Sequence, residues 1–272
     1  MTSIPTSPPV ILTIAGSDSS AGAGIQADLK TISANNGYAC TVITAVTSQN
    51  TQRVYDVFSL PPPLVASQIN AIFSDFNVAA VKVGMLANIE ITRVVVEQLL
   101  AHKAKNIVVD PVMLSTSGRE LLSHEAVSYC KEHLYPISTV LTPNLPELEA
   151  LTELTGTKNL TKTTQKARQQ LGCEWLLIKG GHSDNPTHST DYLIGADSAR
   201  SFSSPRIQSR NTHGTGCTLS SAIATFLAQG HSVEASVDKA KQYLSNAIVN
   251  ARHQKLGKGH GPLGHFYCLK SR

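Results

Sequence analysis

The stretch VILTIAGSDSSAGAGIQADLKTISANNGYACTVITAV, Val10 to Val46, decides how the rest of the chain is read. Val10 to Ala15 is an almost continuous apolar run of strand length. Gly16 to Gly24 follows as a loop of glycine, serine and alanine with one aspartate, Asp18. Ile25, Leu29 and Ile32 then recur at helical spacing, and Asn35-Asn36-Gly37 is a helix stop. Ala39 to Val46 is rich in β-branched residues and reads as a second strand. Strand, glycine loop, helix and strand make a βαβ unit, in which the two strands run parallel.

The same rhythm continues outward. Further strands are expected over Tyr55–Leu60, Ala79–Val83, Ile107–Val109, Thr139–Leu141 and Trp175–Ile178. Helices are expected over Leu64–Phe73, Ile91–Leu100, Val127–Leu134, Glu147–Leu154 and Gln165–Leu171, and later over Leu219–Leu227 and Val233–Ala251. Only once does the period change: Asp191–Ile194 and Arg200–Phe202 flank Gly195-Ala196-Asp197 as a hairpin. Uninterrupted apolar strands alternating with helices imply an α/β fold with a mainly parallel central sheet and helices on both faces. No repeat and no linker divides the chain. One domain over residues 10–272, behind a flexible arm at 1–9, is the expectation.

Composition narrows the function. The 272 residues are 41% apolar and 15% charged, a globular balance. The net charge is +4, without a block of lysine or arginine of the kind that binds nucleic acid. Met1 to Pro9 carries no positive charge, so no signal peptide is expected, and no apolar run reaches membrane-spanning length. Five scattered cysteines show no metal-ligand spacing and fit reduced thiols in a cytoplasmic protein. The glycines at 16, 22 and 24 do not make a dinucleotide fingerprint, and no P-loop motif is present.

Asp18, Gly84, Asp110, Asn144 and Lys179 each fall at the carboxyl end of an expected strand, where open α/β sheets bind ligands. A second glycine-rich stretch, Asn211-Thr-His-Gly-Thr-Gly-Cys-Thr-Leu-Ser-Ser221, precedes an apolar helix. Gly214 and Gly216 let the backbone turn tightly there, so that several N–H groups face one spot at a helix mouth, an anion site. Cys217 sits where a helix start lowers a thiol pKa; packing and chemistry are both open to it. Asp110, Asn144 and Glu147 suit a sparse Mg²⁺ site, while Asn144 with Glu147 equally reads as a helix cap. Lys179 before Gly180-Gly181-His182 is either a turn lysine on the surface or a positive charge beside phosphate. The flanking apolar residues leave Asp28 on the more polar side of its helix, as a solvated carboxylate or one that fixes a substrate amine or hydroxyl.

In this order, Thr13–Lys30, Val42–Asn50, Val81–Leu86 (VKVGML), Val109–Met113 (VDPVM), Leu141–Asn144 (LTPN) with Glu147, Leu177–His182 (LIKGGH) and Thr212–Cys217 (THGTGC) closely resemble one family. It is the hydroxymethylpyrimidine/phosphomethylpyrimidine kinases of thiamine biosynthesis, within the ribokinase-like superfamily. The resemblance runs from about Val10 to the glycine-rich tail. It implies an ATP- and Mg²⁺-dependent kinase, commonly a homodimer, that phosphorylates 4-amino-5-hydroxymethyl-2-methylpyrimidine and then its monophosphate. On that pattern Gly16, Asp28, Gln49, Met85 and Val112 line the pyrimidine pocket. Asp110, Asn144 and Glu147 fall in the magnesium region. Asn144, Lys179, Thr212, Gly214, Thr215 and Gly216 face the ATP phosphates, and Cys217 takes the catalytic position with Gly214, Gly216 and Lys179. Ala21 departs from the pattern where the family usually has glycine, and its methyl group would restrict the loop. A pyridoxine/pyridoxal/pyridoxamine kinase of the same superfamily is the nearest alternative. A sugar- or adenosine-type kinase would carry an aspartate at position 217. A non-enzymatic binder derived from a kinase would be expected to have lost Lys179, Asp110 or the glycines near 214.

Overall fold

The structure is a computed structural model that describes residues 7–113, 121–152, 154, 160–182 and 185–271. Most of the expected arm therefore lies outside the described residues, as does part of the end of the helix expected up to Leu154. The strands are β1 (Val10–Asp18), β2 (Tyr38–Gln49), β3 (Val54–Ser59), β4 (Val78–Val83), β5 (Ile107–Val109), β6 (Val140–Leu141), β7 (Trp175–Ile178), β8 (His188–Ile194) and β9 (Ala199–Pro205). The helices are α1 (Gly24–Ala34), α2 (Pro62–Asp75), α3 (Ile89–Ala101), α4 (His124–Tyr129), α5 (Leu145–Thr152), α6 (Leu160–Leu171), α7 (Thr215–Ala228) and α8 (Val233–Ala251).

All nine strands join one sheet in the order β3-β2-β1-β4-β5-β6-β7-β8-β9. From β2 to β7 every pairing is parallel. The three antiparallel pairings belong to β3 at one edge and to β8 and β9 at the other. The chain leaves β1 toward β2 and later returns to β1's other side as β4, which makes β1 the switch point of the sheet. The crevice beyond its carboxyl end is where such sheets bind ligands.

Side-chain alternation along β1 builds both faces. Leu12 and Ile14 join Val81, Val83, Val95, Leu99 and Leu151 in a core against α2–α6. Ile11 faces the other way, with Ile32, Ala80, Ile223 and Val237 in a core against α1, α7 and α8. Thr13 and Lys82 lie on that second face and are fully buried.

Besides shifts of a few residues at element ends, two expectations change in kind. β1 does not end at Ala15: its pairing with β2 changes register between Ala15 and Ser17 and then resumes, with Asp18 opposite Thr47. The bulge at Gly16 carries three more residues into the sheet, which is why a glycine and two polar residues read as loop. The helix expected over Val127–Leu134 is α4 only to Tyr129; a π turn over Cys130–Leu134 and a 3₁₀ turn over Tyr135–Ile137 follow. Pro136 in that last turn lacks the N–H that would continue an α-helix. Among the described residues no helix is long and apolar enough to cross a membrane.

Candidate active site

The carboxyl ends of the central strands open onto a cleft of about 930 Å³, a size common for small-molecule sites. One wall is the turn into α7. Gly214, its N-cap, has φ 84°, and no side chain caps the helix. Thr212, Gly214, Thr215, Gly216 and Cys217 all line the cleft here; Thr215 N–H turns to the Thr212 carbonyl at 3.4 Å, and the N–H groups of Gly216 and Cys217 are left for a ligand. Gly216 permits a close approach: a Cβ on it would lie 3.1 Å from Asp110 Oδ2 and 3.4 Å from Lys179 Nζ.

Facing that turn is a cluster of charge. Lys179 Nζ lies 2.6 Å from Asp110 Oδ1 and 3.7 Å from Glu147 Oε2. Burial works against the lysine's charge, but the two carboxylates hold its pKa above the ordinary value, so it stays an ammonium. Burial likewise pushes Glu147 up, against the pull of Lys179. Asn144 and Glu147 form a reciprocal cap on α5: Asn144 N–H donates to Glu147 Oε2 (2.7 Å) and Glu147 N–H to Asn144 Oδ1 (2.8 Å). The capping reading of this pair is therefore realised, and Glu147 faces Lys179 as well.

Asp110 and Glu147 supply hard carboxylate oxygens around one ammonium. No group of three His, Cys, Asp or Glu side chains among the described residues is placed to hold a metal by itself. That arrangement fits Mg²⁺, which takes one or two carboxylates and completes its shell with water and substrate phosphates.

Cys217 corrects an expectation. Its thiol is not lowered but pushed up to about 11. Burial is the largest cause; nearby Lys82 favours the thiolate, while Asp28 and Asp110 oppose it. The helix start does not outweigh this, and the group carries its proton at neutral pH.

Gly16, Gln49, Met85 and Val112 line the same cleft. Thr44 Oγ1 donates to the Met85 carbonyl at 2.7 Å and ties the segment after β4 to β2. Gln49 is pinned by its backbone, whose N–H donates to Ser19 Oγ (2.9 Å) while its carbonyl accepts from the same hydroxyl (2.8 Å). Ala21 takes φ 60°, the left-handed conformation that favours the glycine the family usually has there.

Asp28 is the second correction. It is fully buried and is not among the residues lining the cleft. Its Oδ2 accepts from Thr13 Oγ1 (2.6 Å) and Lys82 Nζ (2.9 Å), and its Oδ1 from Ser221 Oγ (2.7 Å). Of the apolar residues that suggested a solvent-facing side chain, Ile25 and Ile32 are buried with it, whereas Leu29 is the one that faces solvent. The partner that makes burial tolerable, Lys82, lies 54 residues away.

Sequence reasoning overlooked several polar groups at the cleft. Lys82 lines it from inside β4, and Lys241 lines it from α8, with Nζ 2.8 Å from Asp191 Oδ2. Asp191 Oδ1 in turn accepts from Gly180 N–H at 2.8 Å. A trace was present in both cases: a lysine inside the apolar run VAAVKV, and a lysine on the same apolar face as Val237 and Ala240. Such a charge needs a buried partner.

A switch-point cleft with an open helix mouth facing a buried lysine defines the class, a ribokinase-like α/β kinase. A solved pyridoxal kinase of Bacillus subtilis in complex with ADP superposes with a TM-score of 0.87 at 33% identity, over 98% of this chain and 100% of that one. A phosphomethylpyrimidine kinase of Clostridium difficile superposes with a TM-score of 0.78 at 41% identity, over 88% and 99%. The hydroxymethylpyrimidine/phosphomethylpyrimidine kinase of Salmonella typhimurium is 44% identical over 259 residues, covering 94% of this chain and 97% of its own length. The family model for phosphomethylpyrimidine kinase matches residues 18–264. The chain belongs to the phosphomethylpyrimidine kinase family.

Proposed function

We propose that this kinase transfers the γ-phosphoryl group of ATP to the hydroxymethyl oxygen of 4-amino-5-hydroxymethyl-2-methylpyrimidine, and then a second phosphoryl group to the monophosphate, for thiamine synthesis. The observation that carries this reading is the convergence of Gly16, Gln49, Met85 and Val112 on the same cleft as Lys179, Asp110 and the α7 turn. An acceptor ring and a nucleotide phosphate can meet there.

In this reading the ring lies between Gly16, Met85 and Val112, with the Gln49 amide at its polar edge. The acceptor oxygen attacks the γ-phosphorus in line, the bond from that phosphorus to the ADP oxygen breaks, and the hydroxyl proton passes to an oxygen of the transferred phosphoryl group. The backbone N–H groups from Gly214 to Cys217 hold the transferring group, and Lys179 offsets its charge. Thr212 and Thr215 flank that turn. Asp110 and Glu147 would hold Mg²⁺, with Asn144 shaping the helix start beside it; the ion supplies further charge neutralisation. A loose transition state needs little help from a base, which suits the protonated Cys217 as a group that aligns the acceptor hydroxyl.

A product assay with ATP and Mg²⁺, offering the hydroxymethylpyrimidine, its monophosphate and pyridoxal side by side, tests the reading. Turnover of both pyrimidines well above that of pyridoxal is expected. Preference for pyridoxal would reassign the acceptor, a reading favoured by the TM-score of 0.87 to the pyridoxal kinase. In the same assay Cys217→Ala is expected to lose on the order of 10²-fold in kcat. A loss of only a few-fold would leave the thiol a packing role.

A homodimer is supported by the sheet edge. Val46 and Phe58 are paired across β2 and β3 and are 45% and 67% exposed, an apolar pair on a strand edge. Sedimentation is expected to show two copies per particle, lost in Phe58→Glu. A monomeric parent protein would remove the reading. The thiol content and the family are compatible with work in the cytoplasm.

A further inference from the structure

The imidazole of His213, one residue before Gly214, is 6% exposed and lies where three parts of the site meet. It packs against the glycine loop so closely that a Cβ on Gly22 would overlap it. Its Nε2 is 2.9 Å from Asp18 Oδ2 and 3.2 Å from the terminal nitrogen of Gln49. The backbone of His213 is fixed too, its N–H donating to the Gly261 carbonyl at 3.1 Å.

The proton on Nε2 is assigned by Asp18. That carboxylate already accepts from Ser20 N–H and Oγ–H, Gly22 N–H and Ala23 N–H, at 2.7–3.0 Å. Burial alone would raise its pKa, but these donors and His213 hold it at about 2. An ionised carboxylate only accepts, so His213 Nε2 donates. The same nitrogen then has no lone pair for a Gln49 N–H. The network closes when the single Nε2–H is shared, three-centred, between Asp18 Oδ2 at 2.9 Å and a Gln49 carboxamide turned to present its oxygen at the 3.2 Å position, with the Gln49 NH₂ facing Thr47 Oγ1. Thr47 Oγ1 is 3.2 Å from the other terminal atom of the amide and itself donates to the Ser17 carbonyl at 3.0 Å. Every group then has a complementary partner, and Gln49 keeps one N–H and one lone pair for a ligand.

We propose that His213, held by Asp18, is a positioning residue that fixes which end of the Gln49 amide faces which side of the acceptor pocket, and so sets acceptor specificity. The inference rests on the reading that Gln49 meets the pyrimidine ring. It gives the histidine of the THGTGC stretch a task separate from Cys217. It also couples acceptor recognition to the anion turn, because His213 and Gly214 are adjacent in the chain.

The test is a double-mutant cycle in steady-state kinetics on the full chain with ATP, Mg²⁺ and the hydroxymethylpyrimidine. His213→Leu is expected to raise the acceptor KM about tenfold, the weight of one buried hydrogen bond, while kcat and the KM for ATP move much less. His213→Asn, whose amide is too short to reach Gln49, should do the same and serves if the leucine variant does not fold. His213→Gln places an N–H near the original Nε2 and should restore most of the loss. In a Gln49→Ala background, His213→Leu should add almost nothing to the acceptor KM. Additive effects in the two backgrounds, or a loss confined to kcat, would overturn the positioning role. An unchanged acceptor KM in Gln49→Ala alone would instead overturn the placement of Gln49 at the ring, and the proposal with it.

Discussion

Gly214→Val is expected to lower kcat by about 10²-fold or more while leaving a folded protein, because a misplacement near 1 Å costs that much at a reacting centre. Two separate penalties act at this position. The backbone there has φ 84°, which a side chain with a Cβ rarely adopts. In addition, a Cβ would overlap the carbonyl oxygen of Gly22, so the turn and the glycine loop must separate. That separation moves the first-turn N–H groups of α7 away from Asp110 and Lys179. Gly230 isolates the first penalty. It has φ 85° but no heavy atom within 4 Å of its virtual Cβ. Gly230→Ala therefore carries only the conformational cost, about 1–2 kcal/mol, and turnover should stay within a few-fold of the parent. Comparable losses of kcat in the two variants would show that strain, not the position of the turn, is responsible. Near-normal turnover in Gly214→Val would remove the anion-hole reading altogether.

The difference between these two glycines shows what the sequence can carry. Local pattern was enough for most elements: β5 and β7 fall at the residues read from the apolar runs, as does α8. It was enough, too, for Asn144 and Glu147, because a cap is formed by residues three apart. The gathering of Asp18, Asp110, Asn144 and Lys179 at one cleft followed from the rule that parallel strands present their carboxyl ends on the same side, while Gly84, the fifth residue expected there, is not among the lining residues. What failed to show was pairing across long separations. Nothing near Asp28 in sequence announces Lys82, and His213 is 195 residues from Asp18. A helix-start rule for Cys217 could not register burial, which outweighs it. Partners of buried charges are set by register between elements, and register is invisible in a single stretch.

The buried pair carries the largest stability effect. Asp28→Asn is expected to cost about 3–5 kcal/mol, the usual result of breaking a buried ion pair, and to lower Tm by roughly 10 °C in a chain of this size. The fully buried carboxylate accepts from Thr13, Lys82 and Ser221, and its presence holds the Lys82 pKa above the ordinary value despite burial. An amide keeps the shape but turns an N–H toward either Ser221 or the Thr13–Lys82 side, where donors already stand. Lys82 would be left buried without its hydrogen-bonded carboxylate, beside Cys217 at the floor of the cleft, with Asp110 the remaining carboxylate that acts on it. Replacing both partners removes that charge, so Asp28→Leu with Lys82→Met should recover more than half of the lost stability. Activity need not return with it, because Lys82 lines the cleft. A thermal melt together with the acceptor KM separates this account from the one the family resemblance implies. If Asp28 met the substrate directly, Asp28→Asn would raise the acceptor KM and leave Tm nearly unchanged. A fall in Tm at an unaltered acceptor KM is the expected result, since the side chain ties β1, β4 and α7 together beneath the pocket.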